Sequence, residues 1–275
     1  MIEALFEYQF MQNALISAIL ASIACGIIGP VIMEKKLVMM SGGIAHTAFG
    51  GIGLGYFLGI EPIIGALFFS VLAAVAIALI HKNTRTSSDL LIGMFWSLGM
   101  ALGILFIAFT PGYPPDMTSY LFGDILTVSQ LDIILIGCLD LIIVFVFFAF
   151  FNLFKAYLFD EEFSAVIGIP IVILEYTLYI LIALSVVSLI RVAGIILIIA
   201  LLTVPPSIAK LFTYQFKSII LISIAVGTLF SILGIWISYY MDIPSGAAIV
   251  VLAVGSYVIT SIIRGIVRKY WAIIN

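Results

Sequence analysis

Charge is scarce in this chain. Only 9% of its 275 residues are Asp, Glu, Lys or Arg, whereas 64% are hydrophobic and the mean hydropathy is +1.35. A soluble domain of this length needs roughly a quarter of its residues charged. Lipid must therefore be the solvent for most of the outside. Histidine and cysteine are nearly missing, with two of each. Cys25 and Cys138 lie in separate apolar stretches without CxxC spacing and read as small buried residues. A net charge of −3, with no basic cluster outside short loops, argues against a nucleic-acid partner. No GxxxxGK(S/T) phosphate loop occurs, so ATP is not bound here through one. HExxH is absent, which counts against a zinc protease of that type, and no arginine array marks a voltage sensor. The start, Met-Ile-Glu-Ala-Leu-Phe-Glu, lacks the basic region of a cleaved signal, so the first span is expected to stay in the mature protein.

Long apolar runs fill the chain. A helix crosses hydrocarbon with about 20 apolar residues. Nine runs fit: 11–33, 38–59, 62–81, 90–110, 131–154, 171–190, 193–210, 218–240 and 244–263. The expectation is an all-α integral membrane bundle forming one domain over 1–275, with no soluble domain, linker, low-complexity tract or evident internal repeat. The second and third runs, and the sixth and seventh, are separated by little and read as tight hairpins. Eight spans would follow if one run were re-entrant.

The basic residues orient this bundle. With the amino terminus outside and the carboxyl terminus cytoplasmic, Lys35, Lys36, Lys82, Arg85, Lys155, Lys210, Lys217, Arg264, Arg268 and Lys269 all fall on the cytoplasmic side. Of the eleven Lys and Arg residues only Arg191 falls outside. The outer segments instead hold Glu3, Glu7, Glu61, Asp116, Asp124 and Asp242. This is the asymmetry that the positive-inside rule requires.

Ionisable residues within spans are costly and mark function or a polar contact between helices. His46 stands in a segment with seven glycines between positions 42 and 59. Gly51, Gly55 and Gly59 repeat every four residues and predict one closely packed helix face. His46 then points into the bundle, either hydrogen-bonded to a neighbour or as a nitrogen ligand for a transition metal. Asp140 sits mid-span, and Glu175 near the inner third of its span. Each reads as a polar interhelix contact or as a further ligand. Thr203-Val204-Pro205-Pro206-Ser207 reads as a kink and hinge at the prolines, or as a helix end.

The segment Lys155–Pro170 reads as a short amphipathic helix on the cytoplasmic side. Asp160 can cap it, and Glu161 and Glu162 complement its dipole. Phe163, Val166 and Ile167 share an apolar face, and Gly168 and Pro170 stop it. Such a helix either plugs into a cytoplasmic partner or lies in the membrane interface.

Four segments taken in order carry a resemblance. They are Gly42–Gly51 (GGIAHTAFGG), Tyr120–Leu126 (YLFGDIL), Phe159–Pro170 (FDEEFSAVIGIP), and Val192–Leu197 running on to Ala200–Pro206. Together they resemble the permease subunit of ABC transporters that import zinc, manganese or related divalent metals, the ABC-3 family. The resemblance implies a multi-pass plasma-membrane permease that is homodimeric or pseudo-dimeric. It implies two cytoplasmic ABC ATPase subunits that bind the ATP, and an extracytoplasmic metal-binding protein. It implies that residues 160–169, through Asp160, Glu161, Glu162, Phe163, Ala165 and Gly168, form the coupling helix. His46 is then a metal ligand facing the central pathway, and the chain itself is no enzyme and holds no resident cofactor. The family pattern places an aspartate four residues before this histidine, where this chain has Gly42. The two-fold axis could instead pair two copies of His46, or Asp140 could substitute. The missing carboxylate weighs more against manganese than zinc, since manganese favours oxygen.

The competing reading is a stand-alone ion- or proton-coupled carrier with Asp140 and Glu175 as relay carboxylates. An intramembrane enzyme lacks a convergent nucleophile and base.

Overall fold

Inside lipid every backbone N–H and C=O must find its partner within the protein, and runs of about 20 apolar residues meet that demand as helices. The computed structural model describes residues 8–84, 86–112, 123 and 125–274. Glu3, Glu7, Arg85, Asp116, Asp124 and the Tyr120–Phe122 part of the second motif lie outside the described residues, as do the side chains of Arg191, Arg268 and Lys269.

Helices make up most of the described residues, and no strand occurs among them. Helix α1 is Gln9–Glu34, α2 Val38–Leu58, α3 Pro62–Thr84, α4 Ser88–Phe109 and α5 Gln130–Ala149. Then come α6 (Phe151–Phe159), α7 (Glu161–Val166), α8 (Ile171–Phe212), α9 (Phe216–Met241) and α10 (Ser245–Ile274). Eight stretches are long and apolar enough to cross a bilayer: α1, α3, α4, α5, α9, α10, and two within α8, Ile171–Ile190 and Ala193–Phe212. Helix α2 is as long, at 21 residues, but its glycines and His46 lower its apolarity. It lies sandwiched against α3, α4 and α8.

Two expected boundaries move. The fifth run does not continue to 154, because Phe150 (φ −109°, ψ 21°) separates α5 from α6. The hinge expected at Pro205 and Pro206 is not a break either. Both prolines sit within continuous helix, and the one non-helical residue of α8 is Gly194, with φ 65° and ψ 165°. That conformation is almost confined to glycine. It turns α8 back on itself, so the sixth and seventh runs form the expected hairpin. The ion pair of Lys210 with Glu34 at 2.8 Å fits this, as does the neighbouring pair of Lys35 with Glu161 at 2.7 Å. Both ends of α8 therefore reach the same end of α1, whereas a straight helix of this length would extend about 60 Å.

The prolines are accommodated by packing. Pro206 has no N–H, so the Leu202 carbonyl loses its partner one turn on. That carbonyl faces Gly29 of α1, where any Cβ would collide with it. Gly227 of α9 lies beside Pro205. One buried apolar core, including Ile28, Ile44, Ile77, Phe147, Val186 and Leu202, runs through the bundle. A smaller one (Met11, Ala18, Ile125, Ile136, Ile235) closes the end away from the lysines.

Candidate functional site

Helix α2 packs as its glycines predict, with one exception. A Cβ at Gly51 would strike the Gly65 backbone of α3, and one at Gly55 would come within 2.7 Å of Pro62 Cα. Gly53 crosses Gly103 of α4 in the same manner. Gly59 does not belong to this face. It is the left-handed C-cap of α2, with φ 66° and open space where a side chain would stand.

This close packing fixes the His46 backbone. Its ring Nδ1 lies 2.8 Å from the Gly42 carbonyl oxygen, one turn back. A carbonyl only accepts, so Nδ1 carries the proton and Nε2 presents its lone pair. The ring stacks on Trp96 of α4, with centroids 4.0 Å apart and planes 20° from parallel. His46 is half-buried, and Trp96 and Ile199 beside it are also partly open. A Cβ at Gly42 would lie 3.3 Å from Ile199 Cδ1 and 3.8 Å from Trp96, both side-chain atoms that can yield. The histidine therefore has a fixed tautomer, a stacked face and, among the described residues, an Nε2 without a hydrogen-bond partner, on a partly open surface. It can serve as one metal ligand. Among the described residues, no group of three or more His, Cys, Asp or Glu is placed to hold a metal ion.

Asp140 is not part of this arrangement. It is 3% exposed on α5, close to buried Cys25 of α1, and neither carboxylate oxygen has a hydrogen-bond partner among the described residues. Helices α2 and α5 share no packed face. Within one chain Asp140 thus cannot take the place of the carboxylate missing at Gly42. Glu175 lies elsewhere again. It lies beside Tyr179 at the lysine-rich end, within electrostatic reach of Lys35, His81 and Glu161.

Helix α7 takes shape as its residues require. Asp160 Oδ1 accepts from the Phe163 backbone N–H at 2.8 Å, and Gly168, with φ 83°, ends the turn. Glu162 and Ala165 are exposed, as are Phe163, Val166 and Ile167 (58%, 85% and 54%). Glu161 ties the helix to Lys35, whose ammonium also sits 3.5 Å above the Tyr157 ring. Burial, with Glu161 and Glu175 nearby, pushes the Tyr157 hydroxyl pKa upward, so it stays neutral beneath that cation.

Two contributors had no sequence signal. Trp96 is fifty positions from His46 in an otherwise ordinary apolar span. Gly65 is the unseen partner of Gly51. Gly123, at φ 69°, abuts the backbone of Ala193 and Gly194 at the hairpin, which explains a glycine in the second motif.

The likenesses to known proteins agree with this architecture. The chain is 40% identical to a membrane protein of Synechocystis sp. over 96% of this chain and 94% of that one. It is 35% identical to the manganese import system permease protein ScaB of Streptococcus gordonii, over 90% and 89% of the two. Its fold matches PsaBC from Streptococcus pneumoniae, solved in complex with Fab, with a TM-score of 0.85 and 33% identity over 94% and 93% of the chains. The family model described as ABC 3 transport family matches residues 7–264. A helical bundle this apolar, matched along nearly its whole length, is a multi-pass membrane permease, and the chain belongs to the ABC 3 transport family.

Proposed function

We propose that this chain is the membrane permease of an ATP-driven plasma-membrane importer for a divalent transition-metal ion of the manganese and zinc class. The observation that carries the reading is His46, whose Nε2 has no hydrogen-bond partner among the described residues and lies on a face left open by α2, α4 and α8. Gly93, Ser97 and Ala101 are exposed on α4, at the spacing that lets helices of two chains approach closely. A second copy on that face would bring two His46 rings to one axis and close the pathway. Relatives named for manganese favour that ion. The imidazole donor also suits zinc, so the cargo is settled by measurement rather than by fold.

In this reading nine helical segments span, α2 included, with the lysine-rich end cytoplasmic. Helix α7 and the segment 160–169 receive force from a cytoplasmic ATPase through Phe163, Val166 and Ile167. An extracytoplasmic binding protein delivers the ion. ATP-driven closure of the partner rocks the spans about the axis and exposes the His46 site to one side at a time. A site with few ligands holds the ion briefly enough to release it.

The test is uptake of radiolabelled manganese and zinc into cells carrying the native chain or His46→Ala. Loss of at least tenfold in uptake of one ion, at equal membrane abundance, is expected. Unchanged uptake of both removes His46 from the pathway. Nothing observed favours the stand-alone carrier, since Asp140 and Glu175 lie on separate helices in unrelated surroundings.

A further inference from the structure

Two cavities adjoin at the lysine-rich end, where α5 and α6 meet the start of α9. One, of about 400 Å³, runs beside Phe148, Ile220 and Leu221. The other, of about 450 Å³, opens beside Lys155, Phe159 and Tyr214. Phe151 and Lys217 line both, so they form one groove with an apolar half along the spans and a cationic half at the membrane surface. Lys35 and Lys210, at the same end, are each paired with a glutamate. Among the described residues, neither Lys155 nor Lys217 has a carboxylate within ion-pair distance. Lys217 Nζ lies instead 5.4 Å from the centre of the Phe151 ring. Among the described residues, then, nothing compensates the charge in this groove.

We propose that the groove binds one anionic phospholipid from the leaflet at the lysine-rich end. Its phosphate sits between Lys155 and Lys217, and an acyl chain lies along Phe148 and Leu221. Charge complementarity selects the headgroup, as basic pockets between helices on the cytoplasmic side hold acidic lipids. The apolar half selects a lipid over a soluble partner. Phe148 and Leu221 are 52% and 67% exposed on helices that cross the hydrocarbon, where a water-soluble chain does not reach. A zwitterionic lipid would bring its own cation against the lysines. The inference needs only that the chain spans the membrane, and is independent of which ion it moves.

Native mass spectrometry of the full-length chain in detergent, titrated with phosphatidylglycerol, phosphatidylcholine or inorganic phosphate, tests it. One phosphatidylglycerol per chain is expected, bound at least tenfold tighter than phosphatidylcholine. Each basic residue near a membrane surface contributes about fivefold to such binding, so Lys155→Gln with Lys217→Gln weakens it about twenty-fivefold. Lys155→Arg with Lys217→Arg retains it. Leu221→Trp, which fills the apolar half, weakens the lipid. Equal binding of the two lipids overturns the proposal, as does unchanged binding by the double glutamine variant. Displacement of the lipid by millimolar inorganic phosphate overturns it in favour of a free-phosphate site. Should the glutamine variant fail to fold, the native chain decides the matter. A melting temperature raised by phosphatidylglycerol and not by phosphatidylcholine supports the site, and no difference between them refutes it.

Discussion

Lys35 Nζ lies 2.7 Å from Glu161 Oε2 and joins the turn after α1 to the first residue of α7. The lysine side chain is 14% exposed and the carboxylate 57%, so water screens one partner more than the other. Such a pair contributes under about 1 kcal/mol to stability. Its effect on geometry is larger, because it is the one charged tie between α7 and the bundle among the described residues. Lys35→Met is expected to leave the melting temperature within a few degrees while reducing metal-stimulated ATP hydrolysis in the assembled transporter severalfold. Lys35→Glu with Glu161→Lys should recover part of that loss. Normal coupling in Lys35→Met would show that α7 is held by its apolar contacts alone.

Gly42 offers a gain-of-function test. Its absent Cβ points at the ends of Ile199 and Trp96, which can move. Gly42→Asp would place an oxygen donor one turn before His46, on the same helix face. Manganese takes oxygen ligands more readily than zinc does. The ratio of manganese to zinc uptake is expected to rise severalfold in Gly42→Asp. A falling ratio would mean that the residue at 42 does not face the ion.

Gly194 carries the α8 reversal at φ 65°, ψ 165°. A side chain there is strained by about 1–3 kcal/mol. Gly194→Ala should lower the melting temperature and the yield of folded chain, whereas Gly255→Ala, at an open helical position, should do neither. Thermal unfolding of the two variants side by side measures the contrast.

Asp140 is a buried carboxyl without a hydrogen-bond partner among the described residues. An isolated buried charge is costly, and replacing it by a neutral group of like shape is tolerated or stabilising. Asp140→Asn is expected to melt no lower than the native chain and to keep metal uptake within about twofold. A tenfold loss of uptake would restore Asp140 to the transport path.

Much of this protein is local in origin and so was open to reading. Asp160 and Gly168 bracket α7 because a cap and a left-handed stop act within one turn. The close repeat of small residues in α2 required tight neighbours. Gly59 misled because the same four-residue spacing also describes the end of a helix. Pro205 and Pro206 stay within helix because a missing N–H breaks a helix only where nothing repacks around the freed carbonyl, and Gly29 meets it here. The stacking of His46 on Trp96 and the pairing of Lys35 with Glu161 join residues distant in the chain, and no local pattern links them.

By itself the sequence determined the solvent, the helical class, the position of most spans and the presence of a capped helix at the basic end. Those follow from apolar run length, charge placement and residues acting within a turn. Tertiary structure alone decided which glycines face each other, where α8 turns back, and that His46 and Asp140 stand apart. The reason is that spans apolar on every side carry no stripe telling one neighbour from another. Lipid tails are as apolar as leucine, so close contact between small residues and a few polar pairs sets helix rotation and partners instead.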